Sequence, residues 1–195
     1  MTKIGLFFGS FNPIHMGHMI IANIMAETTD LTKVWFVVTP QNPLKSGKGL
    51  LHDFDRYDMV RAAVYENHKL EVSDVEFHLP KPNYTIHTLV HLTEKHPQKQ
   101  FKVIIGEDNL ESFTRWKNYE RILEDYGLYV YPRLTGTAGV TNAELKRHPN
   151  VKMVDAPLMD ISATFIRNCI KKDQSVRYLV PDVVEAMIRD KKFYR

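Results

Sequence analysis

A chain of 195 residues with a net charge of +3 and a single cysteine, Cys169, is long enough for one well-buried domain and excludes an intramolecular disulfide. The mild basicity fits anionic substrates but is too weak to indicate a nucleic-acid partner. No stretch approaches the roughly 18 consecutive apolar residues of a membrane span, and no secretory-signal pattern is present. We therefore expect a cytoplasmic protein that binds neither nucleic acid nor membranes.

Short apolar segments alternate with helical patterns along the chain. In chain order, we predict strand 4–8, helix 17–27, strand 34–39, helix 54–66, strand 70–75, helix 85–95, strand 101–106, helix 119–126, strands 127–131 and 151–154, and helices 163–171 and 181–190. Strands that are apolar on both faces and alternate with helices predict a doubly wound, mostly parallel α/β sheet with helices on both faces. No repeat or linker divides the chain, so we predict a single domain over residues 1–195, with a small helical part at 161–195.

The segment GSFNPIHMGH, residues 9–18, joins the first predicted strand to the first predicted helix. Gly9 has no side chain, so neighbouring backbone N–H groups can approach an anion closely. His15 and His18 are three residues apart and share a face at the positive end of the helix. A zinc site needs a further convergent ligand, and no cluster of Cys, or of His with carboxylates, lies nearby in the sequence. The pattern therefore predicts a phosphate site, with histidines that only cap or pack as the alternative.

A second segment, ISATFIR at residues 161–167, has the pattern of a helix start. Ser162 is placed to cap that helix. Thr164 and Arg167 are three residues apart and project from one face near its positive end. Arginine offers a planar, permanently charged set of donors that suits phosphate oxygens. We predict that this segment also binds an anion.

Together the two segments resemble the nucleotidyltransferase superfamily with the HxGH motif, whose members have a Rossmann-like sheet and transfer a nucleotidyl group from a nucleoside triphosphate. Other segments are similar, more specifically, to the bacterial nicotinate mononucleotide adenylyltransferases. They are PNYT at 82–85, IIGED at 104–108, the tryptophan of TRWKNY at 114–119, and YLVPDVVEAMIRDKKFYR at 178–195. The resemblance runs essentially end to end. It implies adenylyl transfer from ATP to nicotinate mononucleotide in NAD synthesis, giving nicotinate adenine dinucleotide and pyrophosphate.

The resemblance also implies which residues form the site. His15, His18 and Arg167 would be the catalytic residues around the ATP phosphates. Tyr84 and Thr85 would read the nicotinate carboxylate through their backbone, and Trp116 would stack on the pyridine ring. The implied ATP-binding residues are Gly9, Ser10, Phe11, Lys45, Gly106, Asp108, Ile161, Ser162 and Thr164. The implied cofactor is Mg²⁺, held mainly by the ATP phosphates rather than by protein ligands. Whether the protein forms a homo-oligomer stays open.

Three positions depart from the family pattern: Phe8 stands where glycine is common, Asn12 where aspartate is common, and Leu44 where a histidine often follows the proline. Asn12 keeps hydrogen bonding but loses a charge. Leu44 removes one phosphate donor from the loop that carries Lys45. Segment 40–49, which contains two glycines, is expected to be the most mobile.

Alternatives stay open at the level of function and of single residues. The acceptor could be another phosphate, such as phosphopantetheine, although those enzymes usually have Thr at the position of His15; a cytidylyl transfer is a further option. A catalytically silent nucleotide-binding module would be expected to lack an HxGH histidine or Arg167. Asp108 could instead cap a helix that begins at Asn109, and Trp116 could simply pack. We expect Trp35 and Cys169 to be buried.

Overall fold

The computed structural model describes residues 1–40, 49–133 and 143–195, and it contains one parallel sheet of six strands. The strands are β1 (Thr2–Gly9), β2 (Lys33–Val38), β3 (Leu70–Ser73), β4 (Lys99–Gly106), β5 (Leu128–Tyr131) and β6 (Val151–Met153). Their order across the sheet is β3-β2-β1-β4-β5-β6, and every neighbouring pair is parallel. The predicted doubly wound, Rossmann-like fold is confirmed.

Helices connect and cover these strands. They are α1 (Met16–Thr28), α2 (Asp53–Val64), α3 (Thr85–Lys95), α4 (Glu107–Glu111), α5 (Tyr119–Arg121, continued as a wider π-helical turn over Ile122–Tyr126), α6 (Ala143–Lys146), α7 (Ala163–Lys171) and α8 (Asp182–Asp190). The longer elements were predicted to within a few residues. The short ones, α4, α6 and the 3₁₀ turns Val75–His78 and Phe113–Arg115, were not predicted, because one turn carries too few residues for an apolar period.

Two apolar clusters cover the two faces of the sheet, and alternate residues of each strand enter opposite clusters. In β1, Leu6 joins the cluster that also includes residues of α3 and α4, whereas Phe7 joins the cluster of α1, α2, α7 and α8. Both faces are therefore buried, as the continuous apolar runs predicted. Trp35 and Cys169 are buried as expected.

The central pair of strands, β1 and β4, determines where a ligand can bind. The chain passes from β1 outward to β2 and β3, and then returns to the other side of β1 with β4. In open sheets of this kind, the crevice at the carboxyl ends of the strands where the order reverses is the usual binding site. Gly9 ends β1 and Gly106 ends β4. Within the described parts of the chain, no helix is long and apolar enough to cross a bilayer.

Candidate active site

The turn after β1 is shaped by a glycine and a phenylalanine. A Cβ on Gly9 would come within 2.7 Å of the Phe11 ring. Phe11 has a left-handed backbone (φ 44°), and its ring is 2% exposed and packs edge-on against Phe36. Gly9 is therefore needed to accommodate this ring, a reason that the sequence did not reveal. Because the Phe11 side chain is in the core, only its backbone can face a nucleotide, and anion binding by this turn stays a prediction.

His15 and His18 lie together at the start of α1, with ring centroids 3.7 Å apart and nearly parallel planes. The backbone N–H of His15 donates to Nδ1 of His18 at 3.3 Å. An imidazole nitrogen that accepts is unprotonated, so the proton of a neutral His18 is on Nε2. His18 can then donate that proton in a hydrogen bond to a phosphate oxygen.

His15 is buried, with 5% of its surface exposed. Burial, and to a smaller extent the charge of Arg133, lower the pKa of His15 to about 4. The ring is therefore neutral at physiological pH, and among the described residues its Nδ1 has no hydrogen-bond partner. A Cβ on Gly17 would lie 3.1 Å from that Nδ1. The glycine of the HxGH pattern thus leaves room for the His15 ring.

The described parts of the chain contain no group of three or more His, Cys, Asp or Glu side chains that could hold a metal ion. That the histidine pair binds phosphate and not zinc stays a prediction. A divalent ion in this crevice would depend on ligand oxygens and water, which suits the preference of Mg²⁺ for a largely hydrated shell.

Helix α7 brings the second motif against the first. Ser162 caps the helix by accepting a hydrogen bond from the Phe165 N–H at 3.2 Å, as predicted. Nη2 of Arg167 donates to the Thr164 hydroxyl at 3.1 Å, and Nη1 donates to the backbone oxygen of Asn12 at 2.7 Å. A direct hydrogen bond therefore joins the two motifs, although 155 positions separate the two residues.

A small cavity lies beside the two histidines, at the carboxyl ends of β1 and β5. Its lining includes His15, His18, Tyr131, Arg133, Met159 and Ile161. Ile161 comes from the second motif, and its contact with the nucleotide stays a prediction. Neither Tyr131 nor Arg133 was predicted. Arg133 follows the carboxyl end of a buried strand by two residues, so the switch-point rule would have found it if applied to β5 as well.

Asp108 lies in the first turn of α4, across the crevice. Its Oδ2 is 3.6 Å from Nη1 of Arg133. A Cβ on Gly106 would collide with its Oδ1, so the glycine makes room for this carboxylate. The alternative in which Asp108 caps a helix starting at Asn109 is wrong, because α4 begins at Glu107 and Gly106 is its N-cap residue. The carboxylate is thus available to face the crevice.

Arg56 supports the floor of the crevice from α2 and is completely buried. Its Nη1 donates to the backbone oxygens of Ser10 at 2.6 Å and Thr39 at 2.9 Å, and its Nε to that of Leu51 at 3.0 Å. Asp53 pairs with its Nη2. Arg56 therefore joins the turns that follow β1 and β2. Arg56 was not predicted from the sequence, because arginine is rarely buried and no pattern distinguishes this one.

Tyr84, Thr85 and Trp116 lie on the opposite core face from α1 and α7. Tyr84 precedes α3 as its N-cap residue, and Thr85 is the first residue of that helix. The first backbone N–H groups of a helix have no intrahelical acceptor and favour an anion. Trp116 packs on Phe113, with ring centroids 5.5 Å apart, and its Nε1 is buried without a partner among the described residues. Lys117 lies over the Tyr84 ring, which brings the two segments together.

A buried carboxyl group supports the segment that leads into α3. Glu76 Oε1 accepts a hydrogen bond from the Thr88 hydroxyl at 2.8 Å, and its backbone oxygen accepts one from Nδ2 of Asn83 at 3.0 Å. Burial raises the pKa of this carboxyl, and the hydroxyls of Thr88 and Thr39 offset only part of the rise. Glu76 was also missed from the sequence, because an isolated glutamate is usually solvated.

Lys45, Leu44 and most of segment 40–49 lie outside the described residues, so the predictions about them stay predictions. Of the other two departures, Phe8 is partly buried against the second core cluster, and Asn12 is buried beneath the first motif. The histidines, Arg167, Ser162, Thr164, Ile161 and Gly9 are brought together around β1 and α7. Tyr84, Thr85 and Trp116 form a second group.

The chain is similar to known proteins over nearly its whole length. A family model described as cytidylyltransferase-like matches residues 6–169. A probable nicotinate-nucleotide adenylyltransferase of Cytophaga hutchinsonii is 58% identical over 192 residues, which cover 98% of each chain. A protein of the same name from Flavobacterium johnsoniae is 50% identical over 193 residues, covering 99% of each.

The fold is shared with more distant solved structures. A nicotinic acid mononucleotide adenylyltransferase of Plasmodium falciparum in complex with NaAD superposes with a TM-score of 0.82 at 19% identity, covering 100% of this chain and 98% of the other. The full-length relatives and the matched family model together determine the classification. The chain belongs to the cytidylyltransferase-like family and, within it, to the nicotinate-nucleotide adenylyltransferases.

Proposed function

We propose that this protein transfers the adenylyl group of ATP to nicotinate mononucleotide, forming nicotinate adenine dinucleotide and pyrophosphate for NAD synthesis. The observation that carries the proposal is the hydrogen bond from Arg167 to Asn12, which joins ISATFIR to the turn of GSFNPIHMGH beside the histidine pair. The full-length relatives named for this activity support the same conclusion.

The reaction is an in-line displacement at the α-phosphorus of ATP. A phosphate oxygen of nicotinate mononucleotide forms the new P–O bond, and the bond from the α-phosphorus to the bridging oxygen breaks, so that pyrophosphate leaves with the electron pair. A phosphate monoester has a second pKa near 6 and is largely ionised at pH 7, so no general base is needed. The protein must instead align the two phosphates and stabilise the charge on the transferred and leaving groups.

The residues around β1 and α7 supply these interactions. His18 donates through Nε2, and the N-terminus of α1 contributes its partial positive charge. Two of the five N–H donors of Arg167 are used by Asn12 and Thr164, and we assign the other donors to the triphosphate. His15 is neutral before binding. A polyphosphate beside its ring favours the charged form, so binding of ATP should raise its pKa.

Mg²⁺ would reduce the negative charge of the triphosphate and organise its oxygens. No protein cage for it exists among the described residues, so the phosphates and water would provide most of its ligands. We assign Asp108 to a water molecule or to a ribose hydroxyl, and Gly9, Ser10, Phe11, Gly106, Ile161, Ser162 and Lys45 to the nucleotide.

The second group of residues suits the acceptor. The N-terminus of α3 at Tyr84 and Thr85 offers backbone N–H groups to the nicotinate carboxylate, and Trp116 offers an aromatic face to the pyridine ring. We further propose that residues 1–195 act as one domain in the cytoplasm, in agreement with the single buried cysteine.

A paired substrate assay tests the proposal. Purified protein with ATP and Mg²⁺ should release pyrophosphate roughly tenfold or more faster with nicotinate mononucleotide than with its amide analogue, because only the acid offers a charged acceptor to α3. Equal rates would contradict the carboxylate contact. Release of pyrophosphate with neither compound, but with phosphopantetheine or in a CTP-dependent reaction, would overturn the proposed function.

A further inference from the structure

We propose that Tyr194 is a positioning residue for the nucleotide site: its hydroxyl holds Asn12, and Asn12 in turn holds Arg167 in the orientation that binds the triphosphate. The inference rests on the proposed function only in taking Arg167 to contact ATP phosphates. The contacts that carry it lie in the described residues.

Asn12 connects four segments of the chain. Its Nδ2 donates to the backbone oxygen of Gly49 at 3.0 Å, and its Oδ1 accepts from the Leu51 N–H at 3.2 Å. The same Oδ1 accepts from the Tyr194 hydroxyl at 3.0 Å, and its backbone oxygen accepts from Arg167 at 2.7 Å. The side chain is 2% exposed. An asparagine meets these demands because it both donates and accepts, whereas a carboxylate could not donate to Gly49.

Tyr194 reaches Asn12 because the segment after α8 folds back onto the core. The Phe193 N–H donates to the Ile188 oxygen at 3.0 Å, and Lys191 pairs with Asp55 of α2 at 2.8 Å. Both Phe193 and Tyr194 pack against the cluster shared by α1, α2, α7 and α8. Packing of the Tyr194 ring against this cluster therefore holds its hydroxyl at the acceptor oxygen of Asn12.

The orientation of the Arg167 guanidinium depends on the position of Asn12. Arg167 donates to the backbone carbonyl of Asn12, and the side chain of the same residue accepts from Tyr194. Loss of the Tyr194 hydrogen bond would let the Asn12 backbone shift, and such a shift would displace the acceptor that orients the guanidinium. Burial raises the pKa of the Tyr194 hydroxyl, more than the charges of Arg167 and Arg56 lower it, so the group stays a protonated donor. A tyrosine that only packed would have no such effect on the guanidinium.

Tyr194→Phe tests the proposal, since it removes one oxygen and keeps the ring. Its matched control is Tyr178→Phe, at an exposed tyrosine. The probe is a non-hydrolysable ATP analogue, and its affinity is measured by calorimetry, alongside the KM values for both substrates. We expect Tyr194→Phe to weaken binding of the analogue about three- to tenfold, as for loss of one buried hydrogen bond. The KM for ATP should rise by a similar factor. In Tyr194→Phe, the KM for nicotinate mononucleotide should change less than about twofold. In the control Tyr178→Phe, the analogue affinity and the KM for ATP should also change less than about twofold.

A second background tests whether the effect passes through Arg167. Arg167→Lys keeps the charge but replaces the planar guanidinium fork with a compact ammonium group, so it loses the fixed geometry with which one side chain contacts both Asn12 and a phosphate. In that background, Tyr194→Phe should change the analogue affinity by less than about twofold. Asn12→Ala, which removes the acceptor of the hydroxyl, gives a further background in which Tyr194→Phe should have no additional effect.

Unchanged analogue affinity in a folded Tyr194→Phe protein would overturn the proposal. The proposal would also be overturned if Tyr194→Phe weakened analogue binding equally in the wild-type and Arg167→Lys backgrounds, or if it raised the KM values for ATP and nicotinate mononucleotide equally. Either result would mean that the substitution loosens the whole protein and does not act through Arg167. If Tyr194→Phe melted at 25 °C, the same measurements would be made at a lower temperature at which it is folded, with wild type and Tyr178→Phe measured at that temperature as references. Binding of the analogue requires no turnover, so a wild-type protein that binds it but does not form nicotinate adenine dinucleotide would contradict the proposed function alone.

Discussion

The two proposed parts of the site, a nucleotide half and an acceptor half, are built in different ways. The nucleotide half, around β1 and α7, is held by direct side-chain contacts: the stacked histidines, the Arg167–Asn12 hydrogen bond and the buried Arg56. In the acceptor half, the proposed contacts come from the backbone at the start of α3 and from an aromatic ring on a separate turn. Highly charged phosphates need donors fixed in advance, whereas a carboxylate and a flat ring can be recognised by a helix end and an aromatic face. Substitutions should therefore affect the two substrates separately.

The largest effect should come from the donors of the nucleotide half. His18→Ala and Arg167→Ala should each lower kcat by about two to three orders of magnitude, since each removes a donor that stabilises charge in the transition state. The thermal midpoint should stay close to that of wild type, which is measured by calorimetry. If His18→Ala kept near-wild-type turnover, the prediction that the first motif binds the ATP phosphates would be wrong. The distinction between a nucleotide half and an acceptor half would then be lost as well.

Acid should destabilise the nucleotide half through His15. The pKa of this histidine is about 4 in the folded protein, against about 6.5 when exposed, so the unfolded chain binds more protons between these values. The free energy of unfolding should therefore fall as the pH decreases from 6.5 towards 4, by on the order of 2 kcal/mol at pH 5 from this group. Denaturant titrations of wild type, His15→Gln and the exposed control His68→Gln measure it. Parallel pH profiles for wild type and His15→Gln would contradict the burial argument.

The acceptor half should respond to loss of its aromatic face. Trp116→Ala should raise the KM for nicotinate mononucleotide about tenfold, the size of one stacking interaction. The KM for ATP should change little, and Trp116→Phe should keep most of the affinity. Steady-state kinetics with each substrate varied in turn provide the test. Equal rises in both KM values would mean that Trp116 is a packing residue and that the halves are not separate.

The smallest effect should come from Gly17→Ala. A methyl group here would lie 3.1 Å from the His15 ring and displace it by a few tenths of an ångström. Alanine also favours the helix by roughly 0.5–1 kcal/mol, which offsets the crowding. We expect kcat to fall several-fold while the thermal midpoint stays within a few degrees. A variant with full activity would show that the exact place of the His15 ring is unimportant for turnover.

The same contrast explains how well each half could be predicted. Residues of the nucleotide half follow glycine, helix-start and charge rules that operate within a few positions, so the two motifs could be predicted to bind an anion from the sequence. The assignments of Tyr84, Thr85 and Trp116 came only from the family resemblance, because a backbone donor and a partly buried ring leave no local pattern. Arg133, Arg56 and Glu76 were missed for a related reason: their partners lie in other elements of the chain, Asp108 in α4, Ser10 in the turn after β1 and Thr88 in α3.

The sequence by itself determined the alternation of strands and helices and the burial of both faces of the sheet, and it led to the prediction of two phosphate-binding segments, since these depend on periodicity and on local backbone chemistry. Only the tertiary structure decided that Gly9 accommodates Phe11, that His15 is neutral, and that Asn12 joins Arg167 to Tyr194. Each of these results depends on groups that are distant along the chain and become neighbours through packing. Desolvation and hydrogen bonding depend on which groups are neighbours in space, and sequence spacing alone does not reveal those neighbours.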